Sequence, residues 1–262
     1  DNWVSGYGSV RRRKEEDART LARQDQIAEE LETLTLPDPL VQMEAEFKRT
    51  AIIGVGLVGG SIGLRMKQME YGGYIVGHDR IEILDEALAK GAIDECAEDL
   101  SQAILNADLI VLATPVDVTL RLLPMVLTQA KPGAIVTDTA PSKRELADLA
   151  RTITDTKAVY VGGHPLSGSN RRGIANADAN LFDSAYWILT PTETAPPTVR
   201  ESLAWWVRML GSFPLGTTPE RHDQMVAMTT HGRSGVGRWV LGSVADRVVH
   251  HSGDPVLMVR AQ

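Results

Sequence analysis

Short apolar runs alternate with longer helical-period stretches along residues 48–216. The runs are Ala51-Ile52-Ile53, Tyr74-Ile75-Val76-Gly77, Leu109-Ile110-Val111-Leu112-Ala113, Ala134-Ile135-Val136-Thr137 and Ala158-Val159-Tyr160-Val161, followed by 186–189 and 212–215. Between them the pattern predicts helices over 61–70, 81–90, 100–106, 118–130, 143–153 and 198–210, with one more starting near Pro219. Strands that are apolar throughout, rather than at every second residue, are buried on both faces. Regular strand–helix alternation therefore predicts a mostly parallel sheet covered on both sides. No internal repeat or low-complexity tract interrupts it.

The first run ends in Gly54-Val-Gly-Leu-Val-Gly59, a GxGxxG at a strand-to-helix junction. Gly54 permits a tight turn, Gly56 lets a pyrophosphate reach the backbone, and Gly59 lets helix and strand pack closely. Leu57 and Val58 lie in the same loop, and the phosphates would sit at the helix N-terminus, where free N–H groups and the dipole favour an anion. Glycines in a buried turn can also serve packing alone. Here the second run ends at Asp79, about twenty residues past Gly59, where a ribose-binding carboxylate is expected, and this context favours a dinucleotide. Asp79 favours NAD over NADP, since a carboxylate repels a 2′-phosphate; Arg80 beside it leaves NADP open. The fold class is α/β: a Rossmann-type, doubly wound, mostly parallel sheet forming a dinucleotide-binding domain over 48–216.

Residues 1–47 differ in character. Arg11-Arg12-Arg13-Lys14-Glu15-Glu16-Asp17 is a mixed-charge run, 18–34 reads as an exposed helix, and Leu36-Pro37-Asp38-Pro39 ends it. A solvated helical extension without chemistry is expected there. The net charge of −7 argues against a nucleic-acid or anionic-membrane partner. The longest apolar stretch, 51–64, is too short and too broken by glycine to span a membrane. The single cysteine, Cys96, excludes an intramolecular disulfide framework and fits a reducing, cytoplasmic setting. The N-terminus is charged, unlike a signal peptide, and a chain that begins at Asp1 reads as a piece of a longer one.

In an open α/β sheet, ligands occupy the crevice beyond the carboxyl ends of the strands. Gly54, Asp79, Thr114-Pro115, Asp138 and His164 all lie at or just past such ends, which points to one active site. His164 follows a strand, between glycines and a proline. A histidine there can take a hydroxyl proton as hydride leaves the same carbon, and this reading is favoured over a loop histidine that caps the next helix. Ser142 and Lys143 follow the strand ending at Asp138. They fit equally a pair bonding substrate or the histidine and a plain helix start. No metal site is expected, because His222 and His231 have no third ligand at suitable spacing. Trp205-Trp206 reads as packing on the sheet.

These residues together resemble the prephenate/arogenate dehydrogenase family of tyrosine biosynthesis. The resemblance is carried by Gly54-Val-Gly-Leu-Val-Gly-Gly-Ser61, Lys90-Gly-Ala-Ile-Asp94, Ala113-Thr-Pro-Val116, Thr137-Asp-Thr-Ala-Pro-Ser-Lys143 and Gly162-Gly-His-Pro-Leu-Ser-Gly-Ser169. It continues through Leu181-Phe182, Ile188-Leu-Thr-Pro-Thr192, His222-Asp223 and Thr230-His231. It implies an NAD(P)-dependent enzyme that oxidatively decarboxylates prephenate or arogenate, a small-molecule substrate. It also implies that His164 is the catalytic base, with Ser142 near it, and that Ser169, His222, Thr230 and His231 line the substrate side. Three positions depart from the pattern. Pro141 stands where the family usually has serine, Asn170 where it is often acidic, and Ser234 where a second histidine follows Thr-His.

The family continues into an all-helical dimerisation domain that contributes an arginine for a substrate carboxylate. Here 217–262 is expected to hold a truncated helical segment and then a short helix–strand tail in that domain's place. The tail, from His231-Gly-Arg-Ser-Gly-Val-Gly to Pro255-Val-Leu-Met-Val-Arg260, resembles the C-terminus of universal stress proteins. In that family the Gly232…Gly242-Ser243 loop wraps ATP phosphates and the last strand pairs across a dimer. Thr229 replaces the motif's first glycine and the rest of the pocket is absent, so a tail that folds without binding ATP is expected. An adenine-nucleotide module without redox activity is the alternative reading, and a homodimer through the terminal strand is a further one.

Overall fold

The computed structural model of the chain describes residues 47–69, 73–167 and 171–228. The helix expected over 18–34 and the tail expected after His231 lie outside these residues. Within them the chain runs β1 (Arg49–Ile53), α1 (Leu57–Gln68), β2 (Tyr74–His78), α2 (Ile81–Ala89), β3 (Glu95–Cys96) and α3 (Leu100–Ile104). It continues with β4 (Leu109–Leu112), α4 (Val116–Gln129), β5 (Ile135–Asp138), α5 (Arg144–Thr152) and β6 (Val159–Pro165). A 3-10 turn at Ile174–Asn176 leads to β7 (Tyr186–Pro191), α6 (Pro197–Met209), β8 (Phe213–Gly216) and α7 (Pro219–Met228).

The eight strands form one sheet in the order β3-β2-β1-β4-β5-β6-β7-β8. Every neighbouring pair is parallel except β6 and β7, which are antiparallel. Strand order reverses at β1, where the chain leaves β3 on one side and resumes at β4 on the other. That reversal opens the crevice in which ligands of such sheets sit.

Alternation of side chains across the sheet builds two cores. Ile52, Leu109, Val111, Ile135 and Val161 face one way, onto α1 (Ile62, Met66), α2 (Leu84, Ala87) and α6 (Leu203, Trp206, Val207). Ala51, Ile53, Ile110, Leu112 and Val136 face the other way, onto α3 (Leu100, Ile104), α4 (Leu123, Val126, Leu127) and α5 (Leu146). This is why the strand runs are apolar at every position: each second residue belongs to a different core. Among the described residues, no helix is long and apolar enough to cross a membrane.

Two differences from the sequence pattern bear on the site. The first helix starts at Leu57, not near residue 61, directly after Gly56 as its N-cap, so the glycine loop and the helix N-terminus are one structure. β6 also runs beyond Val161, through Gly162-Gly163, to Pro165. Its extension is held by the antiparallel β7, which pairs Gly162 with Thr190, Gly163 with Leu189 and His164 with Ile188. His164 therefore sits inside a strand, not in a loop after one. Isolated Gly-Gly discourages a strand reading; here, close packing demands it. A Cβ on Gly163 would lie 2.5 Å from the Asp138 carbonyl oxygen and 2.9 Å from Trp187 Nε1.

Trp206 packs edge-on against Trp187 at 5.5 Å between ring centroids, and Trp187 tilts against Phe182 at 5.3 Å. This aromatic group fills the layer between α6 and the β7 end of the sheet. Trp206→Ala is expected to cost about 3–5 kcal/mol by leaving a large cavity. The partly buried Trp205 should cost less when truncated, and chemical denaturation of the two variants measures the difference.

Candidate functional site

The glycine loop is built by three different constraints. Gly54 has φ +91°, and its N–H donates to the His78 carbonyl at 2.9 Å. That left-handed conformation is open to glycine and strained for other residues. Gly59 is pinned by proximity, since a Cβ there would fall 2.0 Å from the Gly54 carbonyl oxygen. A Cβ on Gly56, by contrast, would meet nothing within 4 Å. Gly56 brings no side chain to cap the helix, so the first-turn N–H groups of α1, around Leu57 and Val58, retain their capacity to bind an anion. A pyrophosphate fits this cradle: room at Gly56 and free donors behind it.

Asp79 closes the loop from the β2 side. Its Oδ2 accepts from the Val55 N–H at 2.9 Å and its Oδ1 from the Arg80 N–H at 2.7 Å. On the β4 side, Thr114 and Thr119 hydroxyls meet at 2.8 Å, Thr119 Oγ1 also donates to the Thr114 carbonyl, and Pro115 is the N-cap of α4. These elements meet at the strand-order reversal.

A second polar cluster lies two strands away. His164 Nδ1 and His222 Nε2 are 2.8 Å apart, with the rings edge-on. His222 Nδ1 is 2.7 Å from Asp223 Oδ1. The same carboxylate accepts the Lys143 N–H at 2.8 Å through Oδ1 and the Arg144 N–H at 3.0 Å through Oδ2. Asp223 thus caps the N-terminus of α5 from outside that helix, where a negative charge is favoured. His222 is 0% exposed, and both its ring nitrogens are engaged within the protein.

Beneath the histidines runs a fully buried ion pair. Lys143 Nζ meets Asp138 Oδ1, both side chains 0% exposed. The lysine also donates to the Gly163 carbonyl at 2.7 Å. Asp138 Oδ2 accepts from the Tyr160 hydroxyl at 2.7 Å, and Oδ1 accepts from the Ala140 N–H at 2.8 Å. Burial pushes Lys143 below the usual lysine range, with Asp138 opposing that shift. Burial and the adjacent Asp138 hold the Tyr160 phenol well above its usual value. His164 lies well below the ordinary histidine value, chiefly through burial, with His222 and Lys143 adding to the effect. His222 is lowered as well, by burial first, against the pull of Asp223. Both shifts favour the neutral rings.

Of the residues singled out from sequence, the structure gathers Gly54, Gly56, Leu57, Val58, Gly59, Asp79, Arg80, Thr114 and Pro115 around the strand-order reversal. It brings His164 and His222 into contact. Ser142 is half-buried, and its hydroxyl bonds to no described residue. Lys143 reaches the backbone next to His164, at Gly163, and not the imidazole. Ser169, Thr230 and His231 lie outside the described residues. Sequence reasoning assigned no role to Tyr160, and it named Asp223 and Asp138 only within the His222-Asp223 and Thr137–Lys143 motifs, with Asp138 also marking a strand end. The one available signal was the His222-Asp223 pair in the first turns of a helix. Among the described residues, no three His, Cys, Asp or Glu side chains converge as a metal site.

Residues 62–211 match the prephenate dehydrogenase nucleotide-binding domain family, and residues 220–260 match the universal stress protein family. The chain is 41% identical over 145 residues to prephenate dehydrogenase of Lactococcus lactis subsp. cremoris, covering 55% of this chain and 41% of that protein. It is 32% identical over 192 residues to prephenate dehydrogenase of Bacillus subtilis, covering 71% of this chain and 51% of that protein. The chain thus spans about half, or less, of these relatives. Among solved structures, Synechocystis arogenate dehydrogenase superposes with a TM-score of 0.64 at 33% identity, over 70% of this chain and 64% of that one. Prephenate dehydrogenase from Aquifex aeolicus, in complex with hydroxyphenyl propionate and NAD+, shares the fold at a TM-score of 0.62 and 24% identity, over 82% and 74% of the two chains.

The two clusters respond to different substitutions. Gly56→Ala is expected to leave the thermal midpoint unchanged while weakening dinucleotide affinity about tenfold or more, about 1.4 kcal/mol; calorimetric titration beside a melting curve separates the two. Lys143→Met is expected to cost about 3–5 kcal/mol, because it leaves Asp138 as an uncompensated buried charge. Denaturant unfolding checks it.

Proposed function

The chain belongs to the prephenate dehydrogenase family through its nucleotide-binding domain, and from that premise we propose an NAD-dependent dehydrogenase acting on prephenate or arogenate, with His164 as general base. The observation that carries this reading is the state of His164. It stands near the end of β6, two strands from the dinucleotide cradle, with one ring nitrogen bonded to His222. Burial and neighbouring charge favour its neutral, proton-accepting form.

The cradle at Gly54, Gly56 and Gly59 would hold the pyrophosphate, and Asp79 the adenosine ribose. NAD⁺ bound there would supply the hydride acceptor. His164 Nε2, the nitrogen not bonded to His222, would take the proton from the substrate ring hydroxyl. The hydride would leave the hydroxyl-bearing carbon for the bound acceptor; as the ring carboxylate leaves as carbon dioxide and the ring becomes aromatic, its oxygen would recover the proton from His164. The new positive charge on His164 would be countered through His222 by Asp223, which lies two hydrogen bonds away. Asp79 supports NAD over NADP, since a carboxylate after β2, here held by two backbone N–H groups, would repel a 2′-phosphate.

A second reading, an adenine-nucleotide module without redox activity, rests on the match of 220–260 to universal stress proteins. The described part of that segment supports it less, because His222 and Asp223 are engaged with His164 and α5.

Parallel titrations with NAD⁺, NADP⁺ and ATP, followed by prephenate and arogenate on the NAD⁺-saturated protein, test the proposal. NAD⁺ should bind more tightly than NADP⁺, and absorbance of the reduced nicotinamide should grow. ATP binding without NAD⁺ binding would sink it. His164→Asn should lower turnover on the order of 10²–10⁴-fold with NAD⁺ affinity intact.

The depressed histidines also set a pH dependence. A base lowered below about 6.5 keeps its lone pair through neutrality, so kcat/KM should be flat above about pH 6.5 and fall only as pH drops through the lowered value. Stability follows the same sign. The unfolded chain binds protons first, so stability is complete above about pH 6.5 and declines below it. Melting temperatures between pH 5 and 8 check this, and His222→Asn should flatten the decline.

A further inference from the structure

We infer that Asp223, acting through His222, fixes the tautomer of His164 so that its Nε2 presents a lone pair and its Nδ1 carries the proton. As a claim about proton position it stands alone; as a claim about catalysis it rests on the function proposed above.

The assignment follows from a chain of forced choices. The Asp223 carboxylate accepts from two backbone N–H groups, those of Lys143 and Arg144, which can only donate. His222 Nδ1, 2.7 Å from the same carboxylate, must therefore be a donor. A neutral imidazole carries one proton, so His222 Nε2 is left as an acceptor. The group facing that acceptor at 2.8 Å is His164 Nδ1, which must donate. The single proton of neutral His164 is then on Nδ1, and Nε2 is bare. Without this sequence of bonds, a histidine favours the opposite tautomer, with the proton on Nε2, and would present an N–H where a base needs a lone pair.

Each partner is held by more than the relay. Asp223 is fixed by the N-terminus of α5, a segment some eighty residues earlier in sequence. His222 is enclosed at 0% exposure, and its N–H donates to the Thr218 carbonyl at 2.9 Å. His164 is fixed in β6 between β7 and the Lys143-bound Gly163 carbonyl. Asp223 and His222 are thus positioning residues: they touch the base, not the reacting atoms. The proton does not shuttle along them. Protonating His164 at Nε2 leaves Nδ1–H donating to His222 as before, so no bond in the chain reverses.

The experiment is two-bond ¹H–¹⁵N spectroscopy of the full chain with ¹⁵N-labelled histidine, in the absence of ligand. His164→Asn assigns the signals among the six histidines. The expected result is an Nδ1-protonated His164 with a bare Nε2 above pH 7. In Asp223→Ala, no acceptor faces His222 Nδ1, so His222 reverts to the intrinsically favoured Nε2–H form and donates to His164 Nδ1. The His222–His164 bond then inverts, and His164 shifts to the Nε2–H form. Wild-type His164 in the Nε2–H form overturns the inference, as does an unchanged tautomer in a folded Asp223→Ala protein. If that variant does not fold, the wild-type spectrum still decides.

Kinetics separate this inference from the function it rests on. With turnover present, Asp223→Ala should lower kcat on the order of 10²–10⁴-fold and leave KM nearly unchanged, and Asp223→Glu should retain part of the activity. The expected tautomer without turnover would defeat the proposed function alone. Turnover with the opposite tautomer would defeat the relay alone.

Discussion

The Lys143–Asp138 ion pair is the contact on which the second half of the molecule depends. Both side chains are sealed from water, so neither can exchange its partner for solvent, and their hydrogen bonds have to come from protein. Lys143 gives two of its three donors to Asp138 and the Gly163 carbonyl, and Asp138 accepts from the lysine, Tyr160 and the Ala140 N–H. One residue pair thereby fixes the end of β5, the start of α5 and the course of β6. The backbone N–H of the same lysine holds Asp223 and, through it, α7. Burial is the main reason that His164 resists a proton, and the charge that holds β6 in place adds to it.

The nucleotide half is simpler and is set by shape more than by charge. Gly54 is demanded by its backbone angle and Gly59 by the carbonyl it would strike, while Gly56 faces open space. Two of the glycines are thus structural, and the third is free to serve a ligand. Asp79 joins the structural group by bonding both the loop and its own following residue.

Much of this was legible in the sequence, and the boundary has a physical cause. Sheet class, strand positions and the glycine loop are encoded locally: apolar runs of four to five residues, a period change, and glycines at fixed spacing. β3, only two residues long, has too little pattern to be seen. The extension of β6 through Gly162-Gly163-His164 was hidden because those glycines answer to Asp138, Trp187 and Thr190, which are distant in sequence. Asp223 was visible as part of the His222-Asp223 motif, but its role was hidden for the same reason: it is defined by the N–H groups of Lys143 and Arg144 at the start of α5, distant in sequence. The Lys143–Asp138 pair lay within a recognised motif, yet a lysine beside a helix start reads as solvated until burial is known.

The position of α7 has a bearing on how such chains can be rearranged. The nucleotide-binding family match ends at residue 211, whereas His222 and Asp223 fall inside 220–260, the segment similar to an unrelated family. The doubly wound sheet is therefore not a self-contained cassette for proton chemistry. It brings its own anion cradle and its own imidazole, while both partners bonded in line with that imidazole stand in the first helix past the last strand. A graft placed a few residues before Asp223 would preserve the sheet and the cradle and, on the proposed relay, reverse the tautomer of His164.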